Sequence, residues 1–230
     1  MKILGLVGGT SWVSTLDYYK LINEGVNEKL GDLNFAECII YSVNYQVIKQ
    51  NVDADDWDKN LEILADASIK LQNSGAKGIV LCANTPHLVA DRLQEKLQVP
   101  VIHIATATAN AIKAQGIRKV GMIGTRLTME REFFRTKLEA AGIEMLIPED
   151  DDRGFIHYTI FEEFGRGIFS WETKQRYLGI MQKLLAAGAE GIIAGCTEIP
   201  LFIKQDEVNF PLFDTLALHA KAAVDFAVGE

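Results

Sequence analysis

One short pattern occurs twice in this chain, and it restricts the available folds more than any bulk property. Gly75–His87 reads GAKGIVLCANTPH, and Gly188–Pro200 reads GAEGIIAGCTEIP. Each copy is a glycine, an apolar run of strand length, then a cysteine and small polar residues where the strand stops. The copies lie 113 positions apart in a chain of 230 residues. A second match supports the first: Lys2–Ser11, KILGLVGGTS, resembles Lys119–Thr128, KVGMIGTRLT, with Gly5 over Gly121 at an offset of 116. Two matches at nearly one offset predict an internal duplication. Aligned on Gly78 and Gly191, the copies place Cys196 opposite Ala83 and Cys82 opposite Gly195.

Strand-like and helix-like runs alternate along the chain. Strands are expected at Ile3–Val7, Ala36–Val43, Gly78–Cys82, Val99–Ile104, Lys119–Ile123, Ile143–Ile147, Gly191–Gly195 and Phe210–Phe213. Helices are expected at Ser14–Leu30, Trp57–Ser74, His87–Leu97, Ala105–Gln115, Thr128–Ala141, Trp171–Ala187 and Thr215–Val228. Leu61, Leu64, Ala65, Ser68, Ile69 and Leu71 put an apolar stripe on one helix face. Near-continuous apolar strands separated by helices imply parallel sheets covered on both faces. The expected fold class is therefore α/β: two similar doubly wound parallel-sheet lobes with the active site in the cleft between them. Residues 1–103 with 210–230 form the first lobe in this reading, and residues 104–209 the second.

Bulk properties narrow the function. A formal charge of −8 and the lack of a basic run argue against nucleic acid as a partner. The apolar runs fall far short of the roughly 20 residues that span a bilayer, so no membrane is expected. The opening MKILGLVGG meets glycines too early for a secretory h-region. Cys38, Cys82 and Cys196 are too few for a disulfide framework and match no zinc spacing, so free thiols in a cytoplasmic protein are expected. No histidine motif indicates a metal.

In open parallel sheets, ligands bind beyond the carboxyl ends of the strands. Four such ends carry suggestive residues: Gly8–Ser11, Asn84–Thr85, Gly124–Thr128 and Cys196–Glu198. Each feeds a helix, whose free N–H groups and dipole favour an anion such as a carboxylate. Hydroxyls of Ser11, Thr85, Thr125, Thr128 and Thr197 add donors. The glycines at 5, 8 and 9 do not form a dinucleotide fingerprint, and no phosphate-loop lysine follows them. Cys196 is the leading candidate for chemistry, because a thiol at a helix N-terminus is expected to have a lowered pKa. Glu198 is placed to orient that thiol or to hold a substrate ammonium. A free cysteine is equally at home as a small buried hydrophobe; Cys38 fits that description, and Cys82 is compatible with either role. His87, His103, His157 and His219 are weak signals.

The opening GLVGGTSWVST, the Asn84–His87 segment, GTRLTM at Gly124–Met129, AGCTEI at Ala194–Ile199 and FDTLALHA at Phe213–Ala220 together resemble the aspartate/glutamate racemase superfamily, in particular its broad-specificity amino-acid racemase branch. The resemblance covers essentially the whole chain. It implies a cofactor-independent isomerase that moves a proton at the α-carbon of an amino acid, with one thiolate removing the proton and a second thiol protonating the opposite face. It also implies a homodimer and a small amino acid or related carboxylate as the partner. Carried onto this sequence, Cys196 is the catalytic thiol. Asn84, Thr85, Thr125, Thr128, Thr197 and Glu198 contact the substrate, and Thr10 and Ser11 line the site.

The sequence departs from the family pattern at one place. The first cysteine commonly precedes Asn-Thr directly, and Ala83 fills that slot here. Cys82 stands one residue early, and adjacent strand side chains point to opposite faces. Three outcomes remain open: Cys82 reaches the site through a bulge; Cys196 works alone, as in one-cysteine decarboxylases or isomerases on this scaffold; or the protein binds a carboxylate without turnover. Aspartate-specific relatives hold the distal carboxylate with a cation. Lys49 and Arg166 are the candidates here, and neither falls squarely in the family slot.

Overall fold

A computed structural model describes residues 1–229. Contacts divide the chain into two compact units, Met1–Ile104 with Leu216–Glu230, and Ala105–Thr215. In chain order the first unit holds β1 (Leu4–Gly8), α1 (Trp12–Leu30), β2 (Cys38–Ser42), α2 (Tyr45–Asp53), α3 (Trp57–Asn73), β3 (Gly78–Leu81), α4 (Ala90–Gln94) and β4 (Val101–Ile102). After α5 (Ile104–Ala114) come β5 (Lys119–Gly124), α6 (Arg126–Glu130), α7 (Glu132–Ala140), β6 (Glu144–Leu146), α8 (Asp150–Glu162), α9 (Trp171–Ala186), β7 (Ile192–Gly195), α10 (Ile199–Phe202) and β8 (Leu212–Asp214). The last helix, α11 (Thr215–Val228), belongs to the first unit from Leu216 onward.

The two sheets repeat one plan. Both have four parallel strands, in the orders β2-β1-β3-β4 and β6-β5-β7-β8. The duplicated residues occupy equivalent places. A side chain at Gly5 would press on Ile79 and Leu71, and one at Gly121 on Ile192 and Leu184. Ile79 and Ile192, like Leu71 and Leu184, stand at the offset read from the sequence. In each unit a glycine in a central strand lets the helix that precedes the neighbouring strand, α3 before β3 and α9 before β7, lie close to the sheet.

Strand alternation builds the two faces of the first sheet. Leu4, Leu6, Val80 and Cys82 pack against Tyr18, Ile22 and Val26 of α1 and Leu216, Ala220 and Val224 of α11. Val7, Ile79 and Leu81 pack on the other face against Leu61, Leu64 and Leu71 of α3. The helix starts have physical causes. Ser11 caps α1 by accepting from the Ser14 N–H at 3.2 Å, and the Ser170 hydroxyl caps α9 by accepting from Thr173 N–H at 3.1 Å.

The expected assignment differs from the structure in several places. Residues 210–215 were expected in the first lobe. β8 instead pairs with β7, Ile193 opposite Phe213, so this stretch belongs to the second unit. The helix expected over 128–141 is broken at Arg131, whose ψ of 152° is extended backbone, giving α6 and α7. The helix expected over 87–97 is a 3-10 turn, Thr85–Val89, followed by the short α4. Helices α2 and α8 were not expected. The apolar spacing of α8 is poor, whereas α2 has a clear apolar face over only nine residues. Each carries a readable start: Asn44 caps α2, and three aspartates occupy the first turn of α8, where the helix dipole favours negative charge.

Candidate active site

The second unit carries the candidate thiol. At the carboxyl ends of its central strands, Gly124 pairs with Gly195, so Thr125 and Cys196 follow a matched pair of residues. Both glycines are required by proximity. A Cβ at Gly124 would stand 3.0 Å from the Gly195 carbonyl oxygen, and one at Gly195 2.9 Å from the Thr128 methyl group. Thr125 caps α6, accepting from the Thr128 N–H at 3.4 Å, and the two threonine hydroxyls lie 3.1 Å apart. Both threonines are buried.

Cys196 is half-buried. Its Sγ donates to Glu198 Oε2 at 2.9 Å, and the Thr197 hydroxyl donates to the same oxygen at 2.9 Å. Burial pushes the thiol well above its ordinary range, and Glu198 adds to the shift through its charge and its hydrogen bond. Backbone hydrogen bonds from Glu198 and Thr197 pull the other way without prevailing. The lowered pKa expected from a helix N-terminus is therefore corrected. α10 has only four residues and begins at Ile199, whereas the carboxylate lies in direct contact with the sulfur. The resting pair is a thiol donating to a carboxylate.

Two further side chains nearby were not expected from the sequence. Tyr177, fully buried on α9, feels the charges of Cys196, Glu163 and Glu198, and its hydroxyl lies 2.8 Å from that of Thr159. Glu163 Oε2 accepts from the Thr173 hydroxyl at 2.7 Å. No motif marks these residues; Tyr177 lies within reach of the charges of Cys196 and Glu198, and Glu163 stands beside Tyr177.

In the first unit the matching strand end has no thiol facing outward. Val7 pairs with Leu81 as Ile123 pairs with Ala194, so the ladders align Cys82 with Gly195 and Ala83 with Cys196. Cys82 is wholly buried among Leu4, Leu6, Tyr18 and Val80, with its Sγ 3.8 Å from the Val80 carbonyl, and burial raises its pKa. The bulge that would bring it to the site is not present: β3 runs regularly to Leu81, and Ala83 is the half-exposed residue. Gly9, with φ +91°, turns the chain between β1 and α1, and its N–H donates to Thr15 Oγ1 at 3.1 Å. Ser11 is occupied as the cap of α1, and the buried Thr10 hydroxyl oxygen has no hydrogen-bond partner among the described residues. Asn84 is buried, and the half-exposed Thr85 opens the 3-10 turn.

Three histidines gather under this turn. The ring centroids of His103 and His87 are 4.9 Å apart, and those of His87 and His219 5.2 Å. His157 lies elsewhere, on α8, where its Nδ1 accepts from the Arg126 N–H at 3.3 Å. Lys49, half-buried, and Arg166, exposed, are paired along their own segments, with Asp53 and Glu162. Among the described residues, no group of three or more His, Cys, Asp or Glu side chains is arranged to hold a metal, and no helix is long and apolar enough to cross a membrane.

The Asp/Glu/Hydantoin racemase family matches residues 7–223. The chain belongs to that family. Membership makes it a racemase-type isomerase. It is 24% identical to the broad specificity amino-acid racemase RacX of Bacillus subtilis over 229 residues, 96% of each chain. Among solved structures, an aspartate racemase homologue from Pyrococcus horikoshii OT3 is 38% identical and superposes with a TM-score of 0.88 over 99% of this chain and 100% of its own. A Yersinia pestis protein is 46% identical, with a TM-score of 0.95 over 99% and 100%. This racemase-family chain therefore has its relatives' architecture throughout, with an alanine and a buried cysteine at the first strand end.

Proposed function

We propose that this protein is a cofactor-independent amino-acid racemase in which Cys196 and Glu198 form the acid/base pair. The contact between Cys196 Sγ and Glu198 Oε2 carries the reading. A thiol held above its ordinary pKa is a poor base by itself, and a carboxylate in direct contact provides a place for its proton. In the forward step Glu198 takes the thiol proton, and the thiolate removes the α-proton of the substrate. The electron pair left on the α-carbon delocalises into the carboxylate as an enediolate. Asn84, Thr85, Thr125, Thr128 and Thr197 supply polar groups for that carboxylate, and Thr10 and Ser11 line the site; donors aimed at developing negative charge are commonly the largest catalytic contribution. Ala83 carries no proton and Cys82 is buried, so the proton for the opposite face comes from water.

The test is incubation of single-enantiomer amino acids in deuterated water. One thiol predicts that one enantiomer exchanges its α-proton faster than it inverts, and that Cys196→Ala abolishes exchange. Full activity in that variant would remove the assignment.

A second reading is favoured by the same Ala83. A resting thiol is already a proton donor, so Cys196 on its own suits protonation of an enediolate formed by decarboxylation of a substituted malonate. Release of carbon dioxide from such a malonate, without exchange on any amino acid, would select it. With no turnover of either kind, carboxylate binding alone would be left. The proposed setting is the cytoplasm, consistent with three free thiols. The proposed assembly is a homodimer, which sedimentation measures directly.

A further inference from the structure

The 3-10 turn after β3 leaves one carbonyl in need of a donor. In an α-helix the N–H of residue 87 would bond to the carbonyl of residue 83. Here the His87 N–H donates to Asn84 O at 3.0 Å, as a 3-10 turn requires, and Ala83 O loses that partner. The His87 side chain replaces it: Nδ1 donates to Ala83 O at 2.9 Å. Because a carbonyl can only accept, the proton is on Nδ1 and Nε2 is bare.

The ring is held from below. His219 Nε2 donates to Ile102 O at 2.6 Å, and its Nδ1 accepts from the Tyr18 hydroxyl at 2.7 Å. Both imidazoles and Tyr18 are essentially fully buried. His87 lies between His103, to which it is tilted, and His219, which it meets edge to face. Burial keeps the two buried imidazoles neutral, with pKa values down to about 4 for His87 and about 3 for His219. A neutral imidazole carries one ring proton, and the contact with Ala83 O places it on Nδ1.

A peptide group is planar and trans, so its carbonyl and its N–H point in opposite directions. Holding Ala83 O also sets the direction of the Asn84 N–H and the exit of the chain into Asn84 and Thr85. We propose that His87 is a positioning residue of the racemase site, which orients the Ala83–Asn84 peptide and hence the polar groups that receive the developing charge on the substrate carboxylate. The inference rests on the proposed function, in which Asn84 and Thr85 face that carboxylate. His87 itself touches no substrate.

The test compares three variants. His87→Asn keeps an N–H donor at the distance of Nδ1, His87→Gln moves it one bond outward, and His87→Ala removes it. The expected result is a kcat lowered about tenfold or more in His87→Ala and His87→Gln with KM little changed, and substantial recovery in His87→Asn, because a misplaced donor costs most where charge develops. A purely structural role would instead lower all three in proportion to their thermal stability, and that pattern would overturn the inference. So would a raised KM at unchanged kcat. If His87→Ala does not fold, the comparison of Asn with Gln decides alone. The wild type and Cys196→Ala are measured alongside. A wild type without exchange activity removes the functional reading and the inference with it, whereas an active wild type, a dead Cys196→Ala and an unaffected His87→Gln remove the inference alone.

Discussion

Cys82 and Cys196 occupy related sequence patterns and opposite physical situations. One residue of register separates them. Cys82 shares the side of β3 that carries Val80 and closes the core, whereas Cys196 follows the paired Gly124 and Gly195 and stays half-exposed beside Glu198. Cys82→Ala should leave α-proton exchange unchanged and cost about 1 kcal/mol of stability, read by chemical denaturation; a loss of exchange at full stability would return Cys82 to the site. Glu198 is the more revealing position. Its charge and hydrogen bond raise the Cys196 thiol, so Glu198→Gln should lower that pKa. The thiolate is the base, so the exchange rate rises with pH, and in the wild type it should still be climbing above about pH 8.5. The Gln variant should begin its rise at lower pH and reach a reduced maximum, since the proton acceptor is gone. A pH–rate profile that does not move would mean that Glu198 does not govern the thiol.

At the scale of elements, the site depends on how closely β5 and β7 approach at their carboxyl ends. Gly195 is needed because a Cβ would fall 2.8 Å from Met122 Sδ, 2.9 Å from the Thr128 methyl and 3.1 Å from the Ile123 carbonyl oxygen. The methionine can yield, whereas the backbone oxygen yields only with its strand. Gly195→Ala should cost about 2 kcal/mol and displace Thr128 together with Cys196, so exchange should fall more than stability alone explains. Paired denaturation and exchange measurements check this, and a fully active variant would show that the strand end tolerates the shift. The sheets themselves were readable from the sequence because each strand is a short apolar run bounded by glycine or polar residues. α8 was not, since Gly154 and the scattered apolar residues of its 13 positions blur the helical period, and only its acidic first turn indicates a start.

Across the molecule, acid should weaken the fold through the first unit. His87 and His219 are buried neutral, with pKa values lowered by burial to about 4 and about 3. An unfolded chain binds protons on these groups from about pH 6.5 downward, while the folded chain does not. Stability from this source is therefore complete above about pH 6.5 and lost as pH falls toward the folded values, roughly 2 kcal/mol per imidazole by pH 5. Denaturation at pH 7 and pH 5 measures the loss. Tyr18→Phe leaves His219 Nδ1 without its donor and should weaken the protein at pH 7 by about 1 kcal/mol. Equal stability of wild type and variant would mean that the Tyr18–His219 bond contributes nothing net.

The amino-acid order by itself determined the α/β class, the duplication into two similar parallel-sheet units and the position of Cys196 at a strand end, because all three follow from local apolar period and from self-similarity along the chain; which sheet takes the last strand was decided by pairing. It also aligned Ala83 with Cys196. Tertiary structure decided what those positions amount to. The neighbours of Cys82 turned it into core, and burial, followed by contact with a carboxylate, raised the Cys196 thiol where a helix end was expected to lower it. His87, His219 and Tyr18, up to 201 positions apart, became one support, His219 hydrogen-bonded to Tyr18 and edge to face with His87. Burial, charge proximity and long-range contacts arise only after the sheets and helices have packed, so no local window of sequence contains them.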